Sequence, residues 1–208
     1  MDRCGVGRYS RWVTAALPDS FVRPTIISDI PFVGDIHSAT MKATLEAALG
    51  HDLPNEVAEQ LSAENLSKNW SLSVSAPPAP TYRTLTAVEG AAIVGFAAAA
   101  PADQALIGAP ENNPGTIEIL ALEVPAKHGR KGHGSRLLAA IAEFAEQDHA
   151  GEMQVWIMVG DEAKTRFFQG AGFAPRGIQR SLELGTDLVT EQCWYTVLEP
   201  EDHTGHNH

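Results

Sequence analysis

The chain has 208 residues, 44% of them hydrophobic and 20% charged, which suits one domain with a substantial core. Its formal net charge of -11 argues against broad nucleic-acid binding, because that needs Lys and Arg to neutralise phosphates; an acidic surface instead favours cationic partners. The longest apolar run, Ala91 to Ala100, is about half the roughly 20 residues of a membrane-spanning helix.

No clear period marks the first residues, and 1–21 read as an N-terminal extension without the continuous apolar core of a secretory signal. Thr25, Ile26 and Ile27 predict a first strand over Arg23 to Ile30. Asp35-Ile36-His37-Ser38 can cap a helix with Met41, Leu45 and Leu49 on its apolar side and Gly50 as its stop. A second helix starts at Asn55-Glu56-Val57. A third short segment, Ala63 to Trp70, is expected to run into a strand at Leu72 to Ser75. Pro77, Pro78 and Pro80 then mark a connection. Tyr82 to Val88 and Ala91 to Ala99 flank Glu89-Gly90 and read as a hairpin, its second strand well buried.

Pro101 to Pro114 is a loop by composition. Thr116 to Val124 is a strand, Pro125 to Lys131 a basic loop, and the helix that follows carries Leu137, Leu138, Ile141, Phe144 and Ala145 as one stripe. Met153 to Val159 reads as a strand, Asp161 to Gly170 as a helix, and Phe173 to Leu184 and Val189 to Leu198 as closing strands. The pattern predicts a mixed α/β sheet with helices on both faces, in one domain over 22–200, with a disordered tail over 201–208. Tail residues His203, His206 and His208 are too irregularly spaced for a metal site, and no metal is expected. Cys4 and Cys193 form no disulfide framework, so a cytoplasmic setting is the default, with Cys193 as buried packing.

The informative stretch is residues 116–144, TIEILALEVPAKHGRKGHGSRLLAAIAEF. A buried strand ends near Val124, and Gly132 and Gly134 open a helix. The first amides of a helix lack intrahelical partners and carry the positive end of its dipole. Glycine lets a phosphate oxygen approach them with no Cβ in the way. With Arg130 and Lys131 alongside, the expected ligand is a diphosphate. A P-loop would need Gly-Lys-Ser or Gly-Lys-Thr, which is absent. A dinucleotide fingerprint would need a third glycine where Leu137 stands.

Residues 129–134, GRKGHG, resemble the acetyl-coenzyme A signature of the GNAT superfamily of N-acetyltransferases, with Gly129 where a Gln or Arg is usual. DEAKTRFFQGAGF, residues 161–173, resembles the family's next helix, with Asp161 for the usual Asn and Phe167-Phe168 for Phe-Tyr. The resemblance extends over about 22–199 and implies a mixed, largely antiparallel central α/β sheet flanked by helices. It implies acetyl-CoA as acyl donor, held by Gly129, Arg130, Lys131, Gly132, His133, Gly134 and Ser135 at the pyrophosphate. Leu122, Glu123 and Val124 would lie along the pantetheine arm, with Asp161 and Phe168 on the helix opposite. It implies direct transfer of acetyl to an amine, without a covalent enzyme intermediate, and a small molecule or protein amino group as acceptor.

The tyrosine that protonates the leaving thiolate in many members is replaced by Phe168, leaving Tyr195 as a spare donor. This keeps open an alternative, an acyl-CoA-binding sensor or docking module with little catalysis. Glu118, 14 residues before Gly132, stands at the spacing of a general-base Glu in the family's histone-type branch. On a regular strand it would share a face with Leu120 and Leu122, oppose Ile117 and Ile119, and stand opposite Glu123. Apolar neighbours would fit it for base work near neutral pH. The acceptor region implied by the resemblance, about Pro31 to Trp70 and Arg180 to Tyr195, holds Trp70 and Trp194 as aromatics able to frame an amine, with Asp29, Asp35 and His37 as further contacts. Neither membrane nor nucleic acid is an expected partner, and the protein is expected to be a monomer or homodimer.

Overall fold

The structure, a computed structural model, describes residues 20–103 and 115–198. The expected N-terminal extension, apart from its last two residues, the tail and most of the Pro101 to Pro114 loop lie outside the described residues.

Seven strands form one sheet: β1 (Ser20–Pro24), β2 (Arg83–Glu89), β3 (Ala92–Pro101), β4 (Thr116–Glu123), β5 (Glu152–Met158), β6 (Ala174–Leu184) and β7 (Asp187–Val197). Their spatial order is β1-β2-β3-β4-β5-β7-β6, and every neighbouring pair is antiparallel except β4 and β5. Helices α1 (Ile30–Leu49), α2 (Asn55–Gln60) and α3 (Ala63–Ser75) precede β2; α4 (His133–Gln147) joins β4 to β5, and α5 (Glu162–Gly170) joins β5 to β6. This is the mixed α/β sheet expected, helices on both faces.

Two cores hold the layers together. On one face, the stripe Leu137, Leu138, Ile141 and Ala145 of α4 packs with Ile117, Ile119 and Leu122 of β4, Val155 and Ile157 of β5, and Phe168 and Phe173. On the other face α1 places Val33 and Ile36 against Phe96, Ala98 and Ala121. The C-terminal half of α1 and helix α2 continue that face over Met158 and Val189. Helices α1 and α3 approach closely at Gly34, where a Cβ would lie 2.0 Å from Ser67 Oγ.

Three expectations are corrected. The first strand ends at Pro24; a 3-10 turn over Ile27–Asp29 follows, fixed by Asp29, which accepts from the Ile26 amide at 3.0 Å and from both ends of the Arg23 guanidinium. Helix α1 therefore begins at Ile30 with Pro31 in its first turn, not at Asp35, and ends at Gly50 in a left-handed conformation as anticipated. Leu72 to Ser75 is not a strand but the last turn of α3, where Ser73 and Ser75 hydroxyls donate to the carbonyls of Asn69 and Ser71. The Ala87/Val88 register shift in the β2–β3 hairpin and the left-handed Gly90 at its turn leave the expected pairing intact.

Candidate active site

Strand β4 is where the site is made. It pairs with β5 only from Thr116↔Glu152 to Ile119↔Val155, although β4 runs on to Glu123 and β5 to Met158. Beyond Ile119 the two strands diverge, since β5 follows β7 throughout while β4 follows β3. The result is a fork whose inner edge on β4, Leu120 to Glu123, has no strand beside it among the described residues. Unpaired strand-edge backbone is a ready template for an extended ligand.

A register shift sits at the crotch of the fork. Ala98 pairs with Ala121 and Ala99 with Ile119, so Leu120 is the extra residue of a bulge. The bulge resets the alternation expected for a regular strand. Leu122 joins Ile117 and Ile119 on the α4 face, while Glu118, Ala121 and Glu123 pair with Ala100, Ala98 and Phe96 and so face α1. Glu118 and Glu123 therefore share a face, contrary to the sequence reading.

Glu118 stands in the last paired rungs before the fork and is half-buried. Its Oε2 accepts from Gln154 Nε2 at 2.7 Å and from Trp156 Nε1 at 3.3 Å. The apolar surroundings expected for it are thus replaced by donors. Gln154 is fully buried, and its carbonyl accepts from the Cys193 thiol, 3.8 Å away. Burial pushes that thiol up to about 11, which makes Cys193 packing and not a nucleophile, as expected. Arg180 lies over the Trp156 ring at 4.4 Å and is held by Glu191, so the indole that reaches Glu118 is itself fixed.

At the mouth of the fork, an open cleft of about 460 Å³ is lined by Leu122, Glu123, Val124, His128, Gly129, Arg130, Gly132, His133, Gly134 and Ser135 on one side. Ala163, Lys164, Phe167 and Phe168 line the other. The chain takes left-handed steps at Arg130 (φ 64°) and Gly132 (φ 80°), and Gly132 is the N-cap of α4. Among the described residues no protein acceptor takes the amides of Arg130, Lys131, Gly132, His133, Gly134 or Ser135; the Gly129 and Arg136 amides on either side bond to Ala126 and Gly132. Six consecutive bare amides at a helix N-terminus make an anion cradle. Gly134 is needed for packing as well, since a Cβ there would lie 3.3 Å from the Phe167 ring.

The charged groups around this cradle divide. Arg130 is exposed, lines the cleft and has no ion-pair partner among the described residues. Lys131 is turned away to Glu89 at 3.0 Å. His133 is buried; its Nε2 has no hydrogen-bond partner among the described residues and lies 3.8 Å from Glu89, and burial lowers its pKa. Arg136, passed over in the sequence, folds its guanidinium across Gly132 and donates to the Lys131 carbonyl. Asp161 does not line the cleft; its carboxylate caps α5 by accepting from the Lys164 amide at 2.9 Å. Phe168 is 1% exposed, stacked edge-on with Phe167 and Phe173.

The largest omission from the sequence reading is Lys164, whose ammonium meets the buried Glu123 carboxylate at 2.6 Å. Helix α5 packs on the α4 face through Phe167 and Phe168, while its first turn, from Asp161 to Ala163, lies beside Ala43, Thr44 and Ala47 of α1, so Lys164 sits at the fork between the two faces. Beyond Glu123 stand His37, Trp70 and Phe96, in mutual ring contact at 5.3 to 5.5 Å. Trp70 Nε1 donates to His37 Nδ1 at 3.0 Å. An indole N–H can only donate, so Nδ1 is the bare nitrogen and Nε2 carries the hydrogen. Burial further lowers the His37 pKa.

Other expected acceptor contacts are not brought together: Trp194 packs in the α4-side core, Asp29 is consumed by Arg23, and Asp35 is exposed on α1. Tyr195 pairs with Gln154 across β5 and β7, its ring under the Arg176 guanidinium. No group of three or more His, Cys, Asp or Glu among the described residues could hold a metal, and no described helix is long and apolar enough to cross a membrane.

The fold and cleft have counterparts. The chain is similar to yncA of Salmonella typhimurium, solved with its cofactor acetyl-CoA (18% identity, TM-score 0.60, covering 91% of this chain and 99% of that one). It is similar to the ribosomal-protein-alanine N-acetyltransferase of Brucella melitensis (18% identity, TM-score 0.58, 86% and 99% covered). It also matches the PaiA N-acetyltransferase of Thermoplasma acidophilum in complex with coenzyme A (18% identity, TM-score 0.57, 83% and 97% covered). No curated protein sequence matches the chain. The sequence profile of the Acetyltransferase (GNAT) family matches residues 45–173, more than half of the chain, and with the forked sheet and helix-capped cradle in place the protein belongs to that family.

Proposed function

We propose that the protein transfers an acetyl group from acetyl-CoA to a primary amine, by direct attack of the amine on the thioester. The observation that carries this reading is the run of bare amides from Arg130 to Ser135, opening on the same cleft as the unpaired edge of β4. A pyrophosphate needs the first and a pantetheine arm, with its two amide groups, needs the second. Arg130 supplies charge to the phosphates; Gly132 and Gly134 keep the approach open. Leu122, Glu123 and Val124 lie along the arm, opposite Phe167 and Phe168.

Glu118 is the proton acceptor in this reading. It faces α1, where an amine can reach the fork without crossing the donor's cleft. Gln154 and Trp156 fix one carboxylate oxygen and leave the other for the amine, directly or through a water. The nitrogen attacks the carbonyl carbon, its proton passes to Glu118, and the C–S bond breaks with the electron pair on sulfur. The unpaired backbone of β4 beyond the bulge at Leu120 offers a place for the oxyanion. The acceptor side is framed by His37, Trp70 and Phe96, whose aromatic faces suit a cationic amine before it loses its proton.

The test is release of free thiol from acetyl-CoA against a panel of small amines, N-terminal peptides and lysine peptides. Release dependent on one amine class supports transfer. Tight donor binding with no release from any of them supports the alternative, a binding module without turnover.

A further inference from the structure

The donor's sulfur leaves as an anion, and the fork must tolerate that charge. The titratable or cationic side chains lining the cleft are Glu123, His128, Arg130, His133 and Lys164. His128, Arg130 and His133 belong to the phosphate loop at the outer end, and Phe168, at the inner end, has no proton to give. His37 is fixed neutral, with its bare nitrogen taken by Trp70. Lys164 is different. It lies four residues before Phe168, on the same face of α5, lines the cleft, and its ammonium is ion-paired with Glu123. An ammonium has three N–H donors, and the hydrogen-bonded contacts give Lys164 one partner, Glu123 Oε1. Among the described residues two N–H groups are therefore left without an acceptor, at the cleft that a pantetheine arm would enter.

We propose that Lys164 stabilises the leaving thiolate, standing in for the hydroxyl that Phe168 lacks. The proposal rests on the donor-site reading above. As the tetrahedral intermediate collapses, the C–S bond breaks and the electron pair stays on sulfur. That charge is met by the Lys164 ammonium through an N–H···S contact, and the sulfur takes its proton from water as the coenzyme departs. Glu123 holds the ammonium in the fork and partly neutralises it. The titratable groups facing the lysine head are Glu123 and the neutral His37, so Glu123 sets how much of its charge the sulfur feels.

The experiment titrates the thiol of bound coenzyme A by its thiolate ultraviolet absorbance, which needs no acceptor and no turnover. A cysteine thiol ionises at about pH 8.5; coenzyme A titrated free in the same buffer gives the reference midpoint. In the wild type the bound thiol should ionise at least about one unit lower, a tenfold gain in thiolate. Lys164→Met should abolish that shift and Lys164→Arg keep most of it. Glu123→Gln should lower the midpoint further, because the ammonium then lacks its counter-charge; a merely structural pair would not move the two neutralising variants in opposite directions. With an acceptor in hand, Lys164→Met should lower kcat about tenfold or more and leave KM for acetyl-CoA within about twofold. A wild type that binds coenzyme A with an unshifted thiol, or a Lys164→Met protein that keeps the shift, overturns the role of Lys164 alone. A wild type that binds no coenzyme A overturns the donor site, and this proposal with it.

Discussion

Gly132 offers a quantitative test of the anion cradle. Its φ of 80° lies in the left-handed region, where an L-residue costs about 1–2 kcal/mol. Space is not the obstacle: an added Cβ would meet nothing closer than the flexible Arg136 guanidinium, at 3.5 Å. Gly132→Ala therefore carries backbone strain and no clash, and the strain must appear somewhere. If the free loop keeps its shape, the protein loses about 1–2 kcal/mol of stability and binds the donor as before. If the free loop relaxes, stability is spared and the strain is met on binding, so donor affinity falls about five- to thirtyfold. The two losses should sum to the same figure. Denaturant unfolding without ligand and calorimetric titration with coenzyme A measure the two parts. Gly50→Ala is the control: Gly50 has φ 76° with nothing within 4 Å of an added Cβ, at the end of α1, so its loss should appear in stability and not in affinity. A Gly132→Ala protein with neither loss, or a Gly50→Ala protein that loses donor affinity, would refute the reasoning.

Glu118→Gln should lower kcat by about 10²-fold or more at unchanged coenzyme A affinity, read by thiol release and calorimetry; undiminished turnover removes Glu118 as base. The folded-state pKa values of His37 and His133 are both held down by burial, so the unfolded chain binds protons first as the solution is acidified. Stability from these groups should be complete above about pH 6.5 and decline as pH falls towards their folded values; His37→Gln should flatten that decline in unfolding curves measured from pH 7.5 to 5. Gly34→Ala places a Cβ 2.0 Å from Ser67 Oγ and 2.7 Å from the Ala63 carbonyl oxygen, so α1 and α3 must separate. A loss of about 1–3 kcal/mol is expected, with acceptor KM rising more than donor KM because α1 and α3 carry His37 and Trp70. Equal unfolding midpoints for Gly34→Ala and wild type would contradict that close approach.

What the sequence made legible was local. The strand to Glu123, the basic turn and the glycines opening α4 lie within about 20 residues, and their chemistry follows from helix ends alone. The Leu137, Leu138 and Ile141 stripe likewise declared its buried face. What stayed hidden depended on pairing between distant segments. The bulge at Leu120 arises from how β4 fits β3, and that single extra residue moves Leu122 to the face opposite Glu118. The Lys164–Glu123 and Lys131–Glu89 pairs join residues some 40 positions apart, so the lysine beside the glycines looked free and the lysine in the fork went unnoticed. Ser71, Leu72, Ser73, Val74 and Ser75 alternate like a strand, yet they extend α3, with the Ser73 and Ser75 hydroxyls satisfied by the carbonyls four residues back. Asp29 looked like an acceptor contact until Arg23, six residues earlier, was seen to occupy it on both oxygens.

A crystal structure of the protein with coenzyme A addresses the cradle itself. Pyrophosphate oxygens should lie within hydrogen-bond distance, about 2.7–3.2 Å, of several amides between Arg130 and Ser135, with the pantetheine arm along the free edge of β4. Phosphates bound elsewhere, with those nitrogens facing only solvent, would contradict the account.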